Sequence, residues 1–468
     1  MKRFIGRKEE LRSLDRLYQK SGFQMLVLYG RRRIGKTTLL NRFMEGKQGV
    51  FYTAVRTSAR RNMEMFGKRL VESLAPESRE MSFGNLEAEF SFLTRKSAQE
   101  RIIVVIDEFP YWAEMDGSLT SVLQKYIDTE WMQGQMMLIL SGSSLSFMEN
   151  HVLGEKSPLF GRRTAQIRLG PFSYREAGEF VPAYGPEDKA VCYGVTGGIA
   201  KYLSLLDDCK SLDENLVDLF FSRDGYLFEE PSNLLAQEFR SVSSYGAIIE
   251  AVAGGAGKVN EIADHVHIDG SSVSHALSNL QSVGVVQKRF SITEETNKKK
   301  IRYTLGDGMF RFWYRYVPEG VDMIQAGLGE KYYRAAVLPY LSEYMGGIFE
   351  EMARSYTLTA GIEDQLGFVP LNVGQWWGIN PATRTTTDID LVALNKYDRK
   401  AAIGECKYKN EILDKKILDE LKERNQLLDH RYEIVRYLLF SKSGFSNWLE
   451  ENAEKENTIL ISLDQMYQ

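Results

Sequence analysis

The stretch MLVLYGRRRIGKT, residues 25–37, decides the fold of the first part of this chain. Its apolar beginning predicts a buried strand over residues 25–29, and the residues that follow match the pattern G-x-x-x-x-G-K-[ST] at every fixed position. The two glycines of that pattern let the backbone turn tightly, so that successive N–H groups converge on phosphate oxygens. A helix predicted over residues 38–43 adds the partial positive charge of its N-terminus. The stretch therefore predicts a phosphate-binding loop between a strand and a helix.

The side chains at the end of this loop have the chemistry to bind ATP together with Mg²⁺. Lys36 is expected to neutralise the β and γ phosphates, and the Thr37 hydroxyl is expected to bind the metal ion. The full set of predicted nucleotide contacts in the loop is Gly30, Arg31, Arg32, Arg33, Ile34, Gly35, Lys36, Thr37 and Thr38. An accidental glycine-rich turn is the alternative, but the flanking strand and helix argue against it.

A second apolar run, IIVVI at residues 102–106, predicts another buried strand that ends in Asp107 and Glu108. The carboxyl ends of parallel strands are where α/β sheets present their ligands. Asp107 is placed to hold Mg²⁺ through water, and Glu108 is placed to polarise the water that attacks ATP. Solvated acids after an apolar strand are common in isolation, yet beside a phosphate-binding loop they favour an ATPase.

Two further segments offer residues that could complete the site. The apolar run at 136–140 is followed by Ser141 and Ser143, and either hydroxyl could sense the γ phosphate; an ordinary strand-end turn is the alternative. Arg162 and Arg163 precede another apolar run, and one of them could act in cis or reach a neighbouring subunit. A surface basic pair is the alternative. Ser143, Arg162 and Arg163 are therefore candidate catalytic residues.

These runs belong to a pattern of strands and amphipathic helices that predicts an α/β fold over residues 1–172, with a parallel sheet covered by helices. The predicted strands are 25–29, 50–54, 102–106, 136–140 and 164–169. Residues 173–240 show helical periodicity without comparable strands, which predicts a small helical lid. The aromatic-rich segment 307–344 predicts a helical connector that packs its aromatic side chains between domains.

Residues 241–306 predict three helices followed by a two-stranded hairpin, the order of a winged helix-turn-helix. The helices are expected at 246–253, 259–265 and 271–283, with Ser271 capping the third, and the strands at 285–292 and 300–305. The candidate nucleic-acid contacts are Ser272, His275, Lys298, Lys299 and Lys300. Residues 244–305 hold seven basic and six acidic residues, too small an excess to predict strong phosphate binding. DNA contact and a role in packing alone are both compatible with this composition.

The order of these motifs resembles the prokaryotic family often called archaeal-type ATPases, of the AAA+/STAND branch of P-loop proteins. The similar segments are FIGR at 4–7, EL at 10–11, the loop, the Asp-Glu strand, LSGSS at 140–144, SPLFGRR at 157–163 and TGGI at 196–199. The resemblance implies a sheet of order 5-1-4-3-2, a helical lid, and adenine near Phe4, Ile5, Gly6 and Arg7. Ala200 stands where members of the family often have proline.

Members of that family commonly carry a winged helix and a C-terminal domain similar to PD-(D/E)xK nucleases. TDIDLVA at 387–393 and GECK at 404–407, within residues 345–468, look like the two halves of such a core. Glu405 and Lys407 share one face of a strand, and Asp390, at the start of the preceding strand, can reach the same point. The two carboxylates could bind Mg²⁺ and Lys407 could orient water, while Glu350 matches the acidic helix residue of the superfamily. A degenerate domain that binds DNA ends or a partner without cutting is the alternative.

The composition bounds the remaining possibilities. A chain of 468 residues is expected to form two to four domains, and its net charge of -4 neither demands nor excludes nucleic acid. Three cysteines that lie far apart imply no disulfide framework, and no run approaches the roughly 20 apolar residues of a membrane span. The charged first ten residues lack the apolar run of a signal peptide, so a soluble cytoplasmic protein is expected.

The sequence therefore supports three functional hypotheses that share ATP binding. The first is an ATP-driven protein that processes or senses double-stranded DNA. The second is a signalling switch of STAND type, in which ATP exchange controls oligomerisation and the C-terminal domain is inert. The third is a transcription regulator, which is favoured only if the winged helix prefers one DNA sequence.

Overall fold

The structure is a computed structural model, and it describes residues 4–78, 80–239, 241–294, 301–359, 363–380, 383–428 and 431–468. The chain divides into two compact units. The first runs to Pro171 and includes the short segment Ile199–Lys201, and the second comprises Phe172–Gly198 and Tyr202–Gln468. No helix among the described residues combines the length and the apolar composition that crossing a bilayer requires.

The first unit is built on a five-stranded parallel sheet. Its strands are β1 (Gln24–Tyr29), β2 (Gly49–Thr53), β3 (Ile102–Asp107), β4 (Met136–Gly142) and β5 (Ala165–Arg168). They lie in the order β2-β3-β4-β1-β5, the order 5-1-4-3-2 that the family resemblance implies. Strands β1, β3 and β4 are buried along their whole length, as expected for parallel strands covered on both faces, whereas the edge strand β5 is only partly buried.

Helices follow the strands and share a core with them. The helices of the first unit are α1 (Lys8–Gln19), α2 (Lys36–Met44), α3 (Ala59–Leu74), α4 (Leu86–Gln99), α5 (Phe109–Ala113), α6 (Leu119–Thr129) and α7 (Leu145–Phe147). Side-chain oxygens of Ser58 and Asn85 accept backbone N–H groups and so cap α3 and α4. Phe66, Trp112 and Trp131 are almost fully buried in the core that these helices form with the sheet. Helix α2 begins at Lys36, two residues before the predicted start, because the loop turns directly into it.

The second unit begins with helices, as the sequence predicts. They are α8 (Tyr174–Gly178), α9 (Pro186–Thr196), α10 (Ala200–Leu203), α11 (Leu212–Phe220) and α12 (Glu230–Glu238), although the first two residues of α10 belong to the first unit. Among the described residues between 172 and 239 there is no strand.

Three helices and a hairpin follow, in the predicted order. They are α13 (Val242–Ala253), α14 (Val259–Val266), α15 (Gly270–Ser282), β6 (Val286–Arg289) and β7 (Arg302–Leu305), and the two strands pair antiparallel. The predicted cap of the third helix is wrong: Asp269 takes that position, and its carboxylate accepts the N–H groups of Ser271 and Ser272, both at 3.0 Å. An extended Asp one residue before Gly270 reaches these amides, so Ser271 lies inside the helix. The predicted basic tip, Lys298 to Lys300, lies outside the described residues.

The aromatic segment forms a core helix. The helices here are α16 (Gly308–Gln325), α17 (Gly329–Tyr332) and α18 (Leu341–Thr359). The ring of Phe312 on α16 is fully buried, with its centroid 4.7 Å from that of Phe220 and 5.4 Å from that of Tyr344. These edge-on contacts stabilise helix packing and leave the ring unable to stack on bases.

A second, mixed sheet occupies the C-terminal part. Its elements are α19 (Glu363–Leu366), β8 (Asn372–Ile379), β9 (Thr386–Asn395), β10 (Lys400–Lys407), α20 (Lys415–Glu423), β11 (Glu433–Ser441), α21 (Asn447–Asn452), β12 (Thr458–Ser462) and α22 (Leu463–Met466). The strand order is β12-β11-β10-β9-β8, antiparallel among β8, β9 and β10 and parallel from β10 to β12. Asp390 lies in the middle of β9 rather than at its start, because this strand extends back to Thr386.

Residues close to position 466 pack on the first helix of the second unit. The Tyr174 hydroxyl and the Arg175 Nε of α8 donate hydrogen bonds to the Met466 carbonyl, at 3.0 and 2.8 Å. The rings of Tyr174 and Tyr467 meet edge-on, with centroids 5.3 Å apart. Positions 292 residues apart in the sequence are therefore joined inside one unit.

Candidate functional site

The loop after β1 has the backbone geometry that a phosphate cradle needs. A Cβ atom on Gly30 would lie 2.5 Å from the Leu169 carbonyl oxygen, so only glycine fits there. Gly35 and Arg33 both have left-handed backbone conformations, with φ of 96° and 67°. Helix α2 begins immediately after Gly35, so its free N–H groups face the loop. Ala200 lies against this loop, its Cβ 3.4 Å from the position a Cβ on Gly35 would take.

Lys36 lies across the loop with its ammonium group buried. Only 5% of the residue is exposed, and its Nζ donates to the carbonyl oxygens of Gly30 at 2.9 Å and Arg31 at 3.2 Å. These carbonyls hold the cation in the loop that the backbone forms. A phosphate chain entering the loop would meet both this ammonium group and the amides of the helix start.

Thr37 and Asp107 form the pair of oxygen donors expected of a magnesium site. The Thr37 Oγ1 donates to the Asp107 Oδ2 at 2.7 Å, and the Glu108 N–H donates to the Asp107 Oδ1 at 3.1 Å. Asp107 is buried whereas Thr37 is exposed, so the pair can be reached from the loop side. A hydroxyl and a carboxylate beside phosphate oxygens are ligands that Mg²⁺ prefers.

Glu108 is oriented by Ser143. It lies immediately before α5 in a left-handed conformation, with φ of 50°, and its Oε2 accepts hydrogen bonds from the Ser143 hydroxyl at 2.7 Å and the Ser143 N–H at 3.3 Å. The Ser141 hydroxyl, in contrast, is buried with no hydrogen-bond partner among the described residues. Of the two candidate serines, Ser143 is therefore the one joined to the carboxylate that could polarise water.

Arg7 ties the predicted adenine segment to the loop. Its guanidinium donates to the carbonyl oxygens of Ile34 at 3.2 Å and Gly170 at 2.7 Å, and it pairs with Glu10 at 3.3 Å. Gly6 and Arg7 both have positive φ, of 60° and 57°. Phe4 and Ile5 are half-buried beside them. The segment thus lies against the loop on the side of Gly170.

The two candidate arginines differ in their surroundings. Arg162 makes a two-pronged ion pair with Asp128, at 2.8 and 2.7 Å, and donates also to the carbonyls of Pro158 and Phe160. Arg163 is half-buried; burial raises the pKa of Tyr29, and the charge of Arg163 opposes that rise. Arg163 therefore lies near the end of β1, whereas Arg162 is engaged by α6.

In the second unit, the strands bring three of the predicted side chains together. Asp390 and Glu405, on the neighbouring strands β9 and β10, are 8% and 6% exposed. Lys407 pairs with Glu405 at 2.5 Å, and the Asp390 Oδ2 accepts the Cys406 N–H at 3.0 Å. Glu350 on α18 acts electrostatically on Asp390. The arrangement places two buried carboxylates and one lysine at one point, which is a donor set for a divalent cation.

Cations from two other elements also enter this cluster. The Arg424 Nη1 pairs with the Glu405 Oε2 at 2.7 Å, so each oxygen of Glu405 contacts a cation. Arg354 pairs with Glu350 at 3.3 Å and donates to the Asp390 carbonyl oxygen at 2.6 Å. The cluster therefore balances its carboxylates with its own basic side chains.

The pKa shifts of the cluster follow from this crowding. Burial, and then the charges of Glu405 and Glu350, raise the pKa of Asp390 to about 7. Burial also raises the pKa of Glu350, and Arg354 opposes that effect. Burial works against the charge of Lys407, but Glu405 outweighs it and raises the pKa of Lys407. An added cation would relieve the repulsion between the acids.

The candidate nucleic-acid residues on α15 are accessible. Ser272 and His275 are both exposed, and His275 lies within 3.3 Å of the Asn279 amide. Arg289 of β6 forms an ion pair with Glu351, so its charge is neutralised within the unit. Helix α15 therefore offers exposed polar side chains, while Arg289 contributes no free positive charge.

Several residues that contact these two sites belong to no sequence motif. Tyr111 accepts a hydrogen bond from Arg32 at 2.7 Å, and Arg354 and Arg424 contact the second cluster. Tyr111 follows Glu108 by three residues, a helical spacing that could have indicated it. Arg424 lies in a charged helical stretch of the sequence, and that position does not indicate which side chain it contacts.

Comparison with known proteins agrees with the first site. Residues 4–206 match a family model described as an ATPase domain predominantly from Archaea, and residues 313–425 match one described as archaeal and bacterial proteins of unknown function. The Walker-type ATPase PABY2304 of Pyrococcus abyssi has a similar fold, with a TM-score of 0.50 and 19% identity over 67% of this chain and 96% of that one. The first unit is thus an ATP-binding ATPase domain of the P-loop class.

Two proteins of Methanocaldococcus jannaschii are similar in sequence. The uncharacterized protein MJECL04 is 31% identical over 451 residues, covering 94% of this chain and 97% of its own length. The chain therefore belongs to the same family as MJECL04. The uncharacterized ATP-binding protein MJ0423 is 47% identical over 45 residues, which is 10% of this chain and 76% of that protein.

Proposed function

We propose that this chain hydrolyses ATP with Mg²⁺ and that its nucleotide state controls DNA binding or cleavage by the second unit. The observation that carries the first half is the neighbourhood of Thr37, Asp107 and Glu108 at the carboxyl ends of β1 and β3. Lys36 would bind the phosphates, Thr37 and Asp107 would hold Mg²⁺, and Glu108, oriented by Ser143, would polarise the attacking water.

The proposal for DNA binding rests on α13, α14, α15, β6 and β7. Their order is that of a winged helix-turn-helix, in which the third helix enters the major groove. Ser272 and His275 are exposed on that helix, and they would contact base edges.

The proposal for DNA cleavage rests on the cluster in the second sheet. Asp390 and Glu405 would bind a divalent cation, and Lys407 would orient the water that attacks the phosphodiester. Glu350, beside them on α18, would add a further acidic ligand or hold a metal-bound water.

The test of the first half is ATP hydrolysis with and without double-stranded DNA, for the wild type, Lys36→Ala and Glu108→Gln. We expect turnover to be stimulated by DNA and lost in both variants, with Glu108→Gln still binding ATP because its loop is intact. ATP turnover that DNA does not stimulate would contradict the coupling between ATP hydrolysis and DNA binding. Turnover that persists in Glu108→Gln would contradict the role of that carboxylate.

The test of the second half is nicking of supercoiled DNA with Mg²⁺ or Mn²⁺. Lys407→Ala should abolish nicking, whereas Lys409→Ala should not, because Lys409 is exposed two residues beyond the cluster. The two variants remove the same charge from the same part of the chain. Equal nicking by both would contradict cleavage at this cluster.

One observation favours a second candidate, the nucleotide-controlled signalling switch with an inert C-terminal domain. Both oxygens of Glu405 are engaged by Lys407 and Arg424, as in a cluster that needs no metal ion. Nucleotide-dependent oligomerisation without DNA affinity would support this switch. Sequence-selective DNA binding that is lost on altering Ser272 or His275 would instead support a transcription regulator.

A further inference from the structure

A cleft lies in the first unit between α3 and the connection that leads from it to α4. Its volume is about 680 Å³, which is within the range of small-molecule sites. Apolar side chains of Val71, Pro76, Met81 and Phe83 form part of its wall. The described residues that line it are distinct from those of the nucleotide site, so the cleft is a separate feature of the unit.

One carboxyl group is buried in this cleft. Glu89 of α4 lines it with none of its surface exposed, whereas the other charged residues described in the wall are exposed. Neither carboxyl oxygen of Glu89 accepts a hydrogen bond of normal geometry from the described residues. A buried acceptor without a hydrogen bond costs free energy, so Glu89 would gain from N–H donors that a ligand brings.

The Phe83 ring lies beside this carboxyl group. A Cβ atom on Gly67 would be 2.4 Å from the Glu89 Oε1 and 2.9 Å from the Phe83 Cδ2, so both groups lie against the same point of the α3 backbone. A carboxylate attracts a cation by its charge, and the face of an aromatic ring attracts one by its quadrupole. Since Phe83 is only half-buried, its ring can turn aside to let a ligand reach Glu89.

The charges around the cleft also favour a cation. Among the described residues of its wall, Glu64, Glu72 and Glu80 are exposed acids, and Lys68 is the one base. Glu64 and Glu72 pair with basic side chains of α3, but these contacts join exposed groups, which contribute little. A cation that enters the cleft therefore meets more acids than bases along the wall before it reaches Glu89.

The Glu89 proton links ligand binding to pH. Burial raises the pKa of Glu89 to about 9, against the smaller effect of the Gly67 N–H, which lowers it. The ionisable groups around it are Tyr52 of β2 and the cleft residues Glu64, Lys68, Glu72 and Glu80. A cation on Glu89 favours the charged carboxylate, so its binding at neutral pH expels the proton. An exposed carboxylate has no such proton to lose at pH 7.

We propose that this cleft binds a small alkylguanidinium compound, with the planar cation on Glu89 and the alkyl chain along Val71 and Met81. A guanidinium group presents parallel N–H donors that match the two carboxyl oxygens, and it stacks on aromatic rings such as that of Phe83. The inference is independent of the proposed ATP hydrolysis and DNA binding, because it uses none of their residues.

The experiment is calorimetric titration of the whole chain with n-butylguanidine and with n-butylurea, its uncharged isostere, in two buffers of different ionisation enthalpy. We expect n-butylguanidine to bind roughly tenfold or more tightly than n-butylurea, because only the cation pairs with the carboxylate. Its binding at pH 7 should release about one proton per molecule, and its affinity should rise about tenfold between pH 7 and 8.

Three variants locate the binding. Glu89→Gln should lower the n-butylguanidine affinity at pH 8 about tenfold and abolish the proton release. Phe83→Leu should weaken binding roughly threefold, since it removes the aromatic face. Glu87→Gln is the matched control, because Glu87 is exposed on the same helix, and it should change neither quantity.

Equal binding of n-butylurea and n-butylguanidine would overturn the proposal, because it would show that the cleft does not select a cation. Binding of n-butylguanidine without proton release, or binding that Glu89→Gln leaves unchanged, would place the cation on the exposed acids and would overturn it too. Failure of the wild type to bind n-butylguanidine at millimolar concentration would have the same meaning. None of these measurements depends on ATP turnover, so their outcome is separate from that of the proposed function.

Discussion

Replacement of Glu89 by glutamine is expected to remove a pH dependence from the stability of the first unit. Glu89 lies on α4 with none of its surface exposed, and neither carboxyl oxygen accepts a hydrogen bond of normal geometry from the described residues, although the nearby Gly67 N–H lowers its pKa against the larger effect of burial. The carboxyl group fits against α3 only because residue 67 is glycine: a Cβ there would lie 2.4 Å from the Glu89 Oε1. Burial raises the pKa of Glu89 from 4.5 to about 9.

The sign and size of the effect follow from proton binding. At neutral pH the folded chain keeps the Glu89 proton and the unfolded chain releases it, so folding must take up a proton. The contribution of Glu89 to stability is full below pH 4.5 and is lost as the pH rises toward 9. Each pH unit in that window is worth about 1.4 kcal/mol, so the free energy of unfolding at pH 7 is lowered by roughly 3 kcal/mol.

The stability of the first unit can be measured separately from that of the second by hydrogen–deuterium exchange. The amides of β2, α3 and α4 are followed in urea, and their exchange rates are corrected for the intrinsic rate at each pH. Between pH 5.5 and 8, the free energy of unfolding of the wild type should fall relative to that of Glu89→Gln by about 1.4 kcal/mol for each pH unit. The buried amide of glutamine adds a constant offset, because it too lacks partners, so the slope is the diagnostic quantity. Glu87→Gln is the control, since Glu87 is exposed on the same helix.

Parallel plots of unfolding free energy against pH for the wild type and Glu89→Gln would refute the reasoning. They would mean that Glu89 ionises in the folded chain without lowering its stability. A slope that disappears equally in Glu87→Gln would also refute it, since an exposed carboxylate cannot supply such a term.

Three further predictions concern single contacts. Ser143→Ala should lower the kcat for ATP about 10-fold to 100-fold with little change in KM, because Glu108 loses the hydroxyl that orients it; steady-state kinetics checks this. A double-mutant cycle on Arg162 and Asp128 should give a coupling of about 0.2–1 kcal/mol in urea unfolding, since both side chains are partly exposed. Gly308→Ala should destabilise the second unit by about 2 kcal/mol in urea unfolding, because its Cβ would lie 2.4 Å from a backbone carbonyl oxygen.

Each of these has a control in the chain. Ser144→Ala removes a neighbouring hydroxyl that caps no amide and should leave kcat unchanged. Gly346→Ala, on α18 with open space around it, should be neutral or slightly stabilising. A large kcat loss in Arg162→Ala without one in Asp128→Asn would contradict a purely structural ion pair and return Arg162 to the catalytic candidates.

The first sheet could be predicted because its three central strands, β1, β3 and β4, obey a simple rule. Strands buried on both faces are continuous apolar runs, and the five predicted strands lie within two residues of the observed ones. Strands β8 and β12 were missed for the opposite reason. Strand β8 contains two tryptophans and two glycines and is only partly buried over its first half, so neither an alternating nor a continuous apolar pattern is present. Strand β12 is buried only at its first and fourth residues, which is neither a continuous nor an alternating pattern.

The residues of the two candidate sites also fall into a group that the sequence predicts and a group that it does not. Lys36, Thr37 and Asp107 are predictable because their positions relative to a strand end fix their chemistry. Tyr111 and Arg424 are not, because their roles depend on which distant element the fold brings beside them. Residues of this second kind are fixed by tertiary contacts, and no local spacing encodes a tertiary contact.

The contact between Tyr174 and Met466 has a consequence for biosynthesis. A ribosome that adds about 5–20 residues per second needs roughly 15–60 s to make the 292 residues that separate them. During that interval helix α8 has left the ribosome without the partner that covers it. The strands of the first sheet all precede Pro171 and can pair much earlier. The nascent chain therefore passes through a stage in which one unit can be nearly complete and the other still exposes apolar surface to chaperones and proteases.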